Sequence, residues 1–196
     1  MKKICVLAGI LISLVVTGIV VNAKKSQMQE ELAEEVFRFH VLAHSDSEDD
    51  QALKMQVKEA VIAYMKEEIP SSDSVETTKK WAKSHLNAIS NLAEAVIEEE
   101  GYSYEVTAEV TVCDFPEKTY GDITFPPGKY EALRIEIGEA RGQNWWCVLY
   151  PNLCFIDAVH AVVPEEGKKD LKKVLEEDTY EMVTATTRFK IGWFFF

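Results

Sequence analysis

Val36 to Tyr64, VFRFHVLAHSDSEDDQALKMQVKEAVIAY, reads as strand, tight turn and capped helix. Phe37, Phe39, Val41 and Ala43 alternate with Arg38, His40, Leu42 and His44, the period of two that suits a strand with one strongly apolar face. Ser45-Asp46-Ser47-Glu48 fits a capping box, with Ser45 as the cap and Glu48 reaching back to it. Glu48, Asp49 and Asp50 then occupy a first helical turn, where unpaired amides favour negative charge. Leu53, Val57, Ala60, Val61 and Tyr64 follow at helical spacing and predict a face laid on a sheet.

Downstream, Ile69-Pro70 ends this helix and Pro70 to Ser74 makes a turn. A second amphipathic helix runs from Val75 to Ile97, with Gly101 in the position of a C-cap glycine. Its His85 falls on the apolar stripe, where a packed histidine is the ordinary reading. Tyr102 to Val112 alternates as a half-covered strand. Phe115 to Gly128 is rich in proline and glycine and reads as a long loop with a short strand at Asp122 to Phe125, ordered by Phe115, Tyr120 and Phe125. Lys129 to Ile137 and Asn144 to Tyr150 are two further strands around a turn at Gly138 to Gly142. Lys168 to Thr179 reads as a short charged helix. The chain closes on the aromatic stretch Thr186 to Phe196, which either packs on the domain or forms an exposed apolar tail.

The first 23 residues stand apart: Lys2 and Lys3 precede an uncharged apolar run of 18 residues from Ile4 to Val21, and Val21-Asn22-Ala23 offers a small-residue cleavage site. This is the pattern of an export signal, and a run of that length also meets the minimum for a membrane anchor. The expected fold class is α+β, a mainly antiparallel sheet with two amphipathic helices packed on one face, preceded by this export signal. The expected organisation is 1–23 signal or anchor, 24–35 linker, 36–163 a single domain, and 164–196 a charged and aromatic extension.

Beyond residue 23 the chain carries 19 basic and 33 acidic side chains, a net charge of −14 that disfavours nucleic acid and anionic membrane surfaces as partners. That part keeps three cysteines, Cys113, Cys147 and Cys154, which permits one bridge and one free thiol. Cys147 and Cys154 flank a turn-forming Pro151 and are the candidate disulfide.

No catalytic constellation and no cofactor is called for by the residues. His40 and His44 on a strand lie about 13 Å apart, too far to share an ion. The acids from Asp46 to Asp50 fail as a calcium loop at Gln51 and Val57, where glycine and glutamate belong. An exported hydrolase or cell-wall enzyme using Cys113 or Cys147 with His85 or His160 is the alternative class. The aromatic run Asn144-Trp145-Trp146 through Phe155 suits either an interface or a packed core.

Three blocks carry a resemblance: RFHVLAHSDSEDDQALK at Arg38 to Lys54, YGDITFPPGKYEAL at Tyr120 to Leu133, and NWWCVLYPNLCFID at Asn144 to Asp157. In this order, behind an export signal, they resemble the stage II sporulation protein R family. His44 stands where asparagine is expected and Asn152 where a second proline is usual. The resemblance implies a non-enzymatic signalling protein of endospore-forming bacteria, exported from the forespore into the intermembrane space and either secreted through signal peptidase or anchored by residues 4–21. It implies as receptor a membrane-embedded aspartic protease of the mother cell, whose activation leads to processing of a pro-sigma factor. The resemblance does not say which residues touch that receptor. Arg38, which projects opposite the aromatic face of its strand, Tyr120 and Lys129 in the following loop, and Asn144, Trp145 and Trp146 are the candidates.

Overall fold

The structure is a computed structural model and describes residues 2–69, 74–154, 163 and 165–184, with side chains from residue 12 onward. A long helix α1 (Lys2–Glu35) leads into strand β1 (Phe37–Leu42), followed by helices α2 (Glu48–Glu68) and α3 (Val75–Glu99). Strands β2 (Val106–Phe115), β3 (Lys118–Tyr120), β4 (Ile123–Phe125), β5 (Gly128–Ile137) and β6 (Asn144–Tyr150) come next, and α4 (Glu165–Val174) and α5 (Glu177–Thr184) complete the described chain.

The class is α+β, with a mixed sheet in the order β2-β5-β1-β6 and a separate β3-β4 hairpin. The expected sheet was mainly antiparallel. The β1-β6, β2-β5 and β3-β4 pairs are antiparallel as expected, and the exception is β1-β5, which runs parallel with Arg38 opposite Ala132. The long excursion through α2, α3 and β2 lets the chain return beside β1 in the same direction, as a parallel pair requires.

Two cores explain why all six residues of β1 are buried, where alternation alone predicted one covered face. Phe37, Phe39, Leu133 and Ile135 join Leu53 and Val57 of α2 and Trp81 and Ile89 of α3 in the first. The opposite side chains, at Tyr130, Ala132 and Val148, join Phe115, Phe125, Leu32, Leu171 and Val183 in the second. Period two in the strands assigns the two cores to opposite faces of the sheet. Full burial of Phe37 and Phe39 stabilises by about 1.5–3 kcal/mol each.

Residues 24–35, expected as a linker, are the helical end of α1. Leu32 is buried in the second core. A Cβ on Gly128 would meet the amide end of the Gln29 side chain, so α1 lies close over the start of β5. Glu31 accepts from the Glu176 amide at 2.7 Å and from Thr179 Oγ1 at 2.5 Å, capping α5 from a distant helix. The single charged helix expected at Lys168 to Thr179 is two helices, and their Leu171 and Val183 bring part of the expected extension into the second core. The expected loop from Phe115 to Gly128 holds the β3-β4 hairpin, turned at Gly121 with φ 57°. Tyr102 and Tyr104 precede β2 and are not strand residues, and Tyr104 stacks on His44 at 4.2 Å.

The cap of α2 also lies two residues later than expected. Ser47 is the N-cap and accepts from the Asp50 amide at 3.1 Å, so Glu48 is the first helical residue. Asp50 is the acid that reaches back, hydrogen-bonded by the Ser45 hydroxyl. Ser45 instead closes the turn, accepting from the Ser47 amide at 3.2 Å. Burial pushes the Asp50 carboxyl up, but hydrogen bonds from Ser45, Ser47 and Tyr104 outweigh it and hold its pKa below the ordinary value.

Ser47→Ala should therefore cost about 1 kcal/mol in urea denaturation, while Glu48→Ala stays within about 0.5 kcal/mol. The reverse order would restore the Ser45–Glu48 box.

Candidate partner-binding site

The second core is organised by a cation. Arg38 is 0% exposed, on the central strand β1. Its Nε donates to the Cys147 carbonyl at 3.0 Å, and its Nη2 donates to the Tyr120 hydroxyl at 3.0 Å. The guanidinium carbon lies 4.4 Å from the ring centre of Phe115, 5.0 Å from Tyr130 and 5.1 Å from Phe125. Among the described residues no carboxylate pairs with it, and Nη1 is buried without a hydrogen-bond partner. Aromatic faces and two neutral oxygens stand in for a counter-ion.

His40, two residues on, shares this face. Its ring stacks on Trp146 at 4.9 Å and tilts against Phe115 at 5.2 Å. Both ring nitrogens are buried without a partner among the described residues. Burial, with the charges of Arg134 and Arg38 adding to it, lowers the His40 pKa to about 3, so the ring is neutral at pH 7. The Tyr120 hydroxyl is pushed far above its ordinary value, chiefly by burial, and acts as a neutral acceptor for Arg38.

The sequence candidates divide between the two sides of the sheet. Arg38 was expected to project toward a receptor; the structure corrects this, because the β3-β4 hairpin and the end of β2 cover that face. Tyr120 and Trp146 stay with it, both half-buried, and Lys118 Nζ lies 5.8 Å over the Trp146 ring. Trp145 belongs to the first core, edge-on to Phe39 at 5.6 Å with Lys58 Nζ 5.3 Å over its ring. The two tryptophans thus form no single patch, since neighbours on a strand point to opposite faces. Lys129 is exposed at the start of β5, in register with Asp114. Asn144 opens β6 opposite Leu42, its Oδ1 buried without a partner among the described residues.

The candidate disulfide is not formed: Cys147 and Cys154 are free thiols, as is Cys113. Burial raises the Cys113 thiol, the opposite of an activated nucleophile. The His85 ring stacks on Trp81 at 4.3 Å with Nδ1 2.8 Å from the Trp81 carbonyl. His160 and the aromatic tail lie outside the described residues. Among the described residues no group of three or more His, Cys, Asp or Glu could hold a metal ion.

Sequence reasoning missed His40, Phe125 and Tyr130 as site residues. The signal available was the set of aromatics bounding the 115–128 loop, which marked the loop as ordered without saying what it covers.

A second cluster fixes the neighbouring turn. Asp46 Oδ1 accepts from the Gln143 amide at 2.7 Å, and Lys54 Nζ donates to the Gln143 carbonyl at 2.9 Å. A Cβ on Gly142 would collide with the Ser45 carbonyl, so this close approach needs glycine. The turn before β6 is thereby tied to the turn after β1, which sets where Trp145 and Trp146 start.

The family model described as stage II sporulation protein R matches residues 33–160. The curated stage II sporulation protein R of Bacillus subtilis (strain 168) is 34% identical over 192 residues, covering 94% of this chain and 86% of that protein. No solved structure matches.

Two outcomes follow from the buried cation and its neighbour. Arg38→Lys should destabilise by about 2–3 kcal/mol, because it keeps the desolvated charge and loses the fork. Arg38→Met should cost less, since it also removes the charge; equal losses on denaturation would contradict this. For His40, the unfolded chain binds a proton near pH 6.5 that the folded one refuses down to about pH 3. Stability should then fall as pH drops below about 6.5, by at most about 1.4 kcal/mol per pH unit from this group. His40→Phe should flatten that slope between pH 5 and 6.5, and an unchanged slope would place the proton elsewhere.

Proposed function

The chain belongs to the stage II sporulation protein R family, and on that premise we propose that it is an exported sporulation signal. It activates a membrane-embedded aspartic protease, which then cuts the pro-form of a sigma factor. The observation that carries this reading is the family match over residues 33–160, which takes in all three sequence blocks. The chain acts as a ligand for that receptor and does no chemistry of its own. Its net charge of −12 argues against nucleic acid as a further partner.

Export from the forespore into the intermembrane space is supported by Lys2 and Lys3, the apolar run Ile4 to Val21 and the small residues before Lys24. In the structure Ile12, Leu14, Ile19 and Val21 are each more than half exposed on α1, as a segment meant for another environment would be. Among the described residues no helix is long and apolar enough to cross a membrane. Signal peptidase acting after Ala23 would release the domain with the docked end of α1 still attached; an uncut residue 4–21 segment would hold it at the membrane.

Receptor contact is placed on the side of the second core, at Lys118 and the outer parts of Trp146 and Tyr120. Half-exposed aromatics beside a cation are the kind of surface that binding hot spots use. Arg38 acts from beneath, holding that surface in one arrangement, and is not itself a contact. Lys129, at the start of β5, and Asn144, at the start of β6, are secondary candidates.

Pro-sigma-factor cleavage should appear in membranes carrying the protease only when the full chain is also present. Lys118→Ala should reduce that cleavage about 10-fold, equivalent to about 1.4 kcal/mol of binding, with Tm unchanged within about 2 °C. Cleavage without the chain, or full cleavage with the variant, would contradict the reading.

A further inference from the structure

The four-stranded sheet ends in β2 on one side and β6 on the other, and the two edges are built differently. On β6 the pairing with β1 shifts register between Phe37 and Arg38, and Lys58 and Lys118 lie over the rings of Trp145 and Trp146. Irregular pairing and lysines are common ways of closing an edge to further strands. Strand β2 has neither. Its ten residues, VTAEVTVCDF, contain no lysine, proline or glycine and pair with β5 in unbroken register from Val106 to Phe115. Among the described residues no strand lies beyond it.

The ladder fixes which main-chain groups face outward. The Gly138 amide donates to the Glu105 carbonyl at 2.9 Å, one step before Val106 pairs with Ile137. Hydrogen-bonded pairs alternate in an antiparallel ladder, so Thr107, Glu109, Thr111 and Cys113 bond to β5. Ala108, Val110, Val112 and Asp114 turn their amides and carbonyls away from it. The first outward amide, at Val106, is taken by Glu94 Oε1 at 3.4 Å. Further along, Val112 is 63% exposed, the most exposed large apolar side chain outside α1 among the described residues.

Charge identifies the occupant. Between Ser84 and Glu117 the chain has eight acidic side chains and no lysine or arginine, and this stretch forms the second half of α3 and all of β2. Arg134 answers part of that charge, meeting Glu109 at 3.3 Å, while Glu98, Glu105 and Asp114 are exposed. A second copy pairing edge to edge would set two such acidic margins against each other. We propose that β2 takes an extended basic segment of a partner protein by strand addition, hydrogen-bonded along Ala108 to Asp114. Alternation in that segment matches the two faces of the sheet, with β-branched residues beside Val110 and Val112 and lysine or arginine beside Glu109. This surface goes beyond the receptor contact at Trp146, which sits on the opposite edge strand.

The test uses the purified full chain in neutral detergent, with a capped ten-residue peptide alternating lysine and valine as the probe. In the free chain, hydrogen exchange resolved by residue should find the amides of Ala108, Val110 and Val112 at least about 10-fold faster than those of Thr107, Glu109 and Thr111. Saturating peptide should slow the outward set by about 10-fold or more and leave the inward set as it was. Of two peptides N-methylated at every valine or at every lysine, one should bind at least about 10-fold more weakly than the other, because only one set of amides faces β2. Val112→Pro, which removes an outward donor, and Val112→Lys, at an exposed side chain, should each weaken binding about 10-fold. The lysine variant should keep its Tm within about 2 °C. Equal binding of both methylated peptides would show attraction by charge alone and overturn the proposal. So would the absence of saturable binding. Outward amides already protected in the free chain would also overturn it, the edge then being covered by the chain itself or, if sedimentation finds a dimer, by a second copy. These readouts need no protease, so they stand apart from the receptor reading.

Discussion

A guanidinium buried with no carboxylate partner among the described residues is the constraint on which this structure turns. Desolvating Arg38 is expensive, and the cost is met only if its fork finds acceptors and its faces find aromatic rings in one fixed arrangement. Those partners come from five strands: Phe115 on β2, Tyr120 on β3, Phe125 on β4, Tyr130 on β5 and Cys147 on β6. The hairpin has only a three-pair ladder of its own. Two-stranded ribbons of that size are marginal in water, so it depends on what it covers. His40 fits the same logic, staying neutral where a second positive charge could not be tolerated.

The three sequence blocks shared with the family meet at this place. The first supplies Arg38 and His40 and, past the strand, Asp46 and Lys54, which grip the Gln143 backbone from both sides. The second supplies the hairpin and Tyr130. The third supplies Trp146 and the Cys147 carbonyl. Motifs separated by tens of residues thus describe one object, a buried cation with its lid. The end of α1 and the helices α4 and α5 support that lid from outside, with Glu31 capping α5 and Asp122 of the hairpin turn paired to Lys168 at 2.6 Å. A region with no recognisable motif is therefore part of the same packing unit.

Much of the frame was legible in the chain. Asn144 to Tyr150 is strand as its aromatic and branched residues required, and the three-four spacing from Val75 onward gives α3 with Gly101 beyond its end at φ 85°. What periodicity could not supply was the identity of the covering layer. Alternation correctly set Arg38 opposite Phe37 and Phe39, but the tyrosine that meets it is 82 positions away, so a buried charge looked like a surface one. The parallel β1-β5 pair was hidden for the same reason, since pairing across a long excursion leaves no local trace. At the cap of α2, two serines stand at spacing two, and Ser45 is taken up by the Ser47 amide and the Gln51 side chain, which leaves Ser47 as the cap. Residues 24–35 looked like a linker because their charge concealed Leu32 and Ala33, which pack the helix on the second core.

The most direct test of Arg38 as the internal post is native-state hydrogen exchange on the full chain and on Arg38→Met, compared at equal pH and temperature. Amides of Lys118–Phe125 should lose protection in the variant by at least about 10-fold, while those of α2 and α3 keep theirs. Unchanged hairpin protection, or a loss spread evenly over the molecule, would contradict that role and return Arg38 to the rank of one core residue among many.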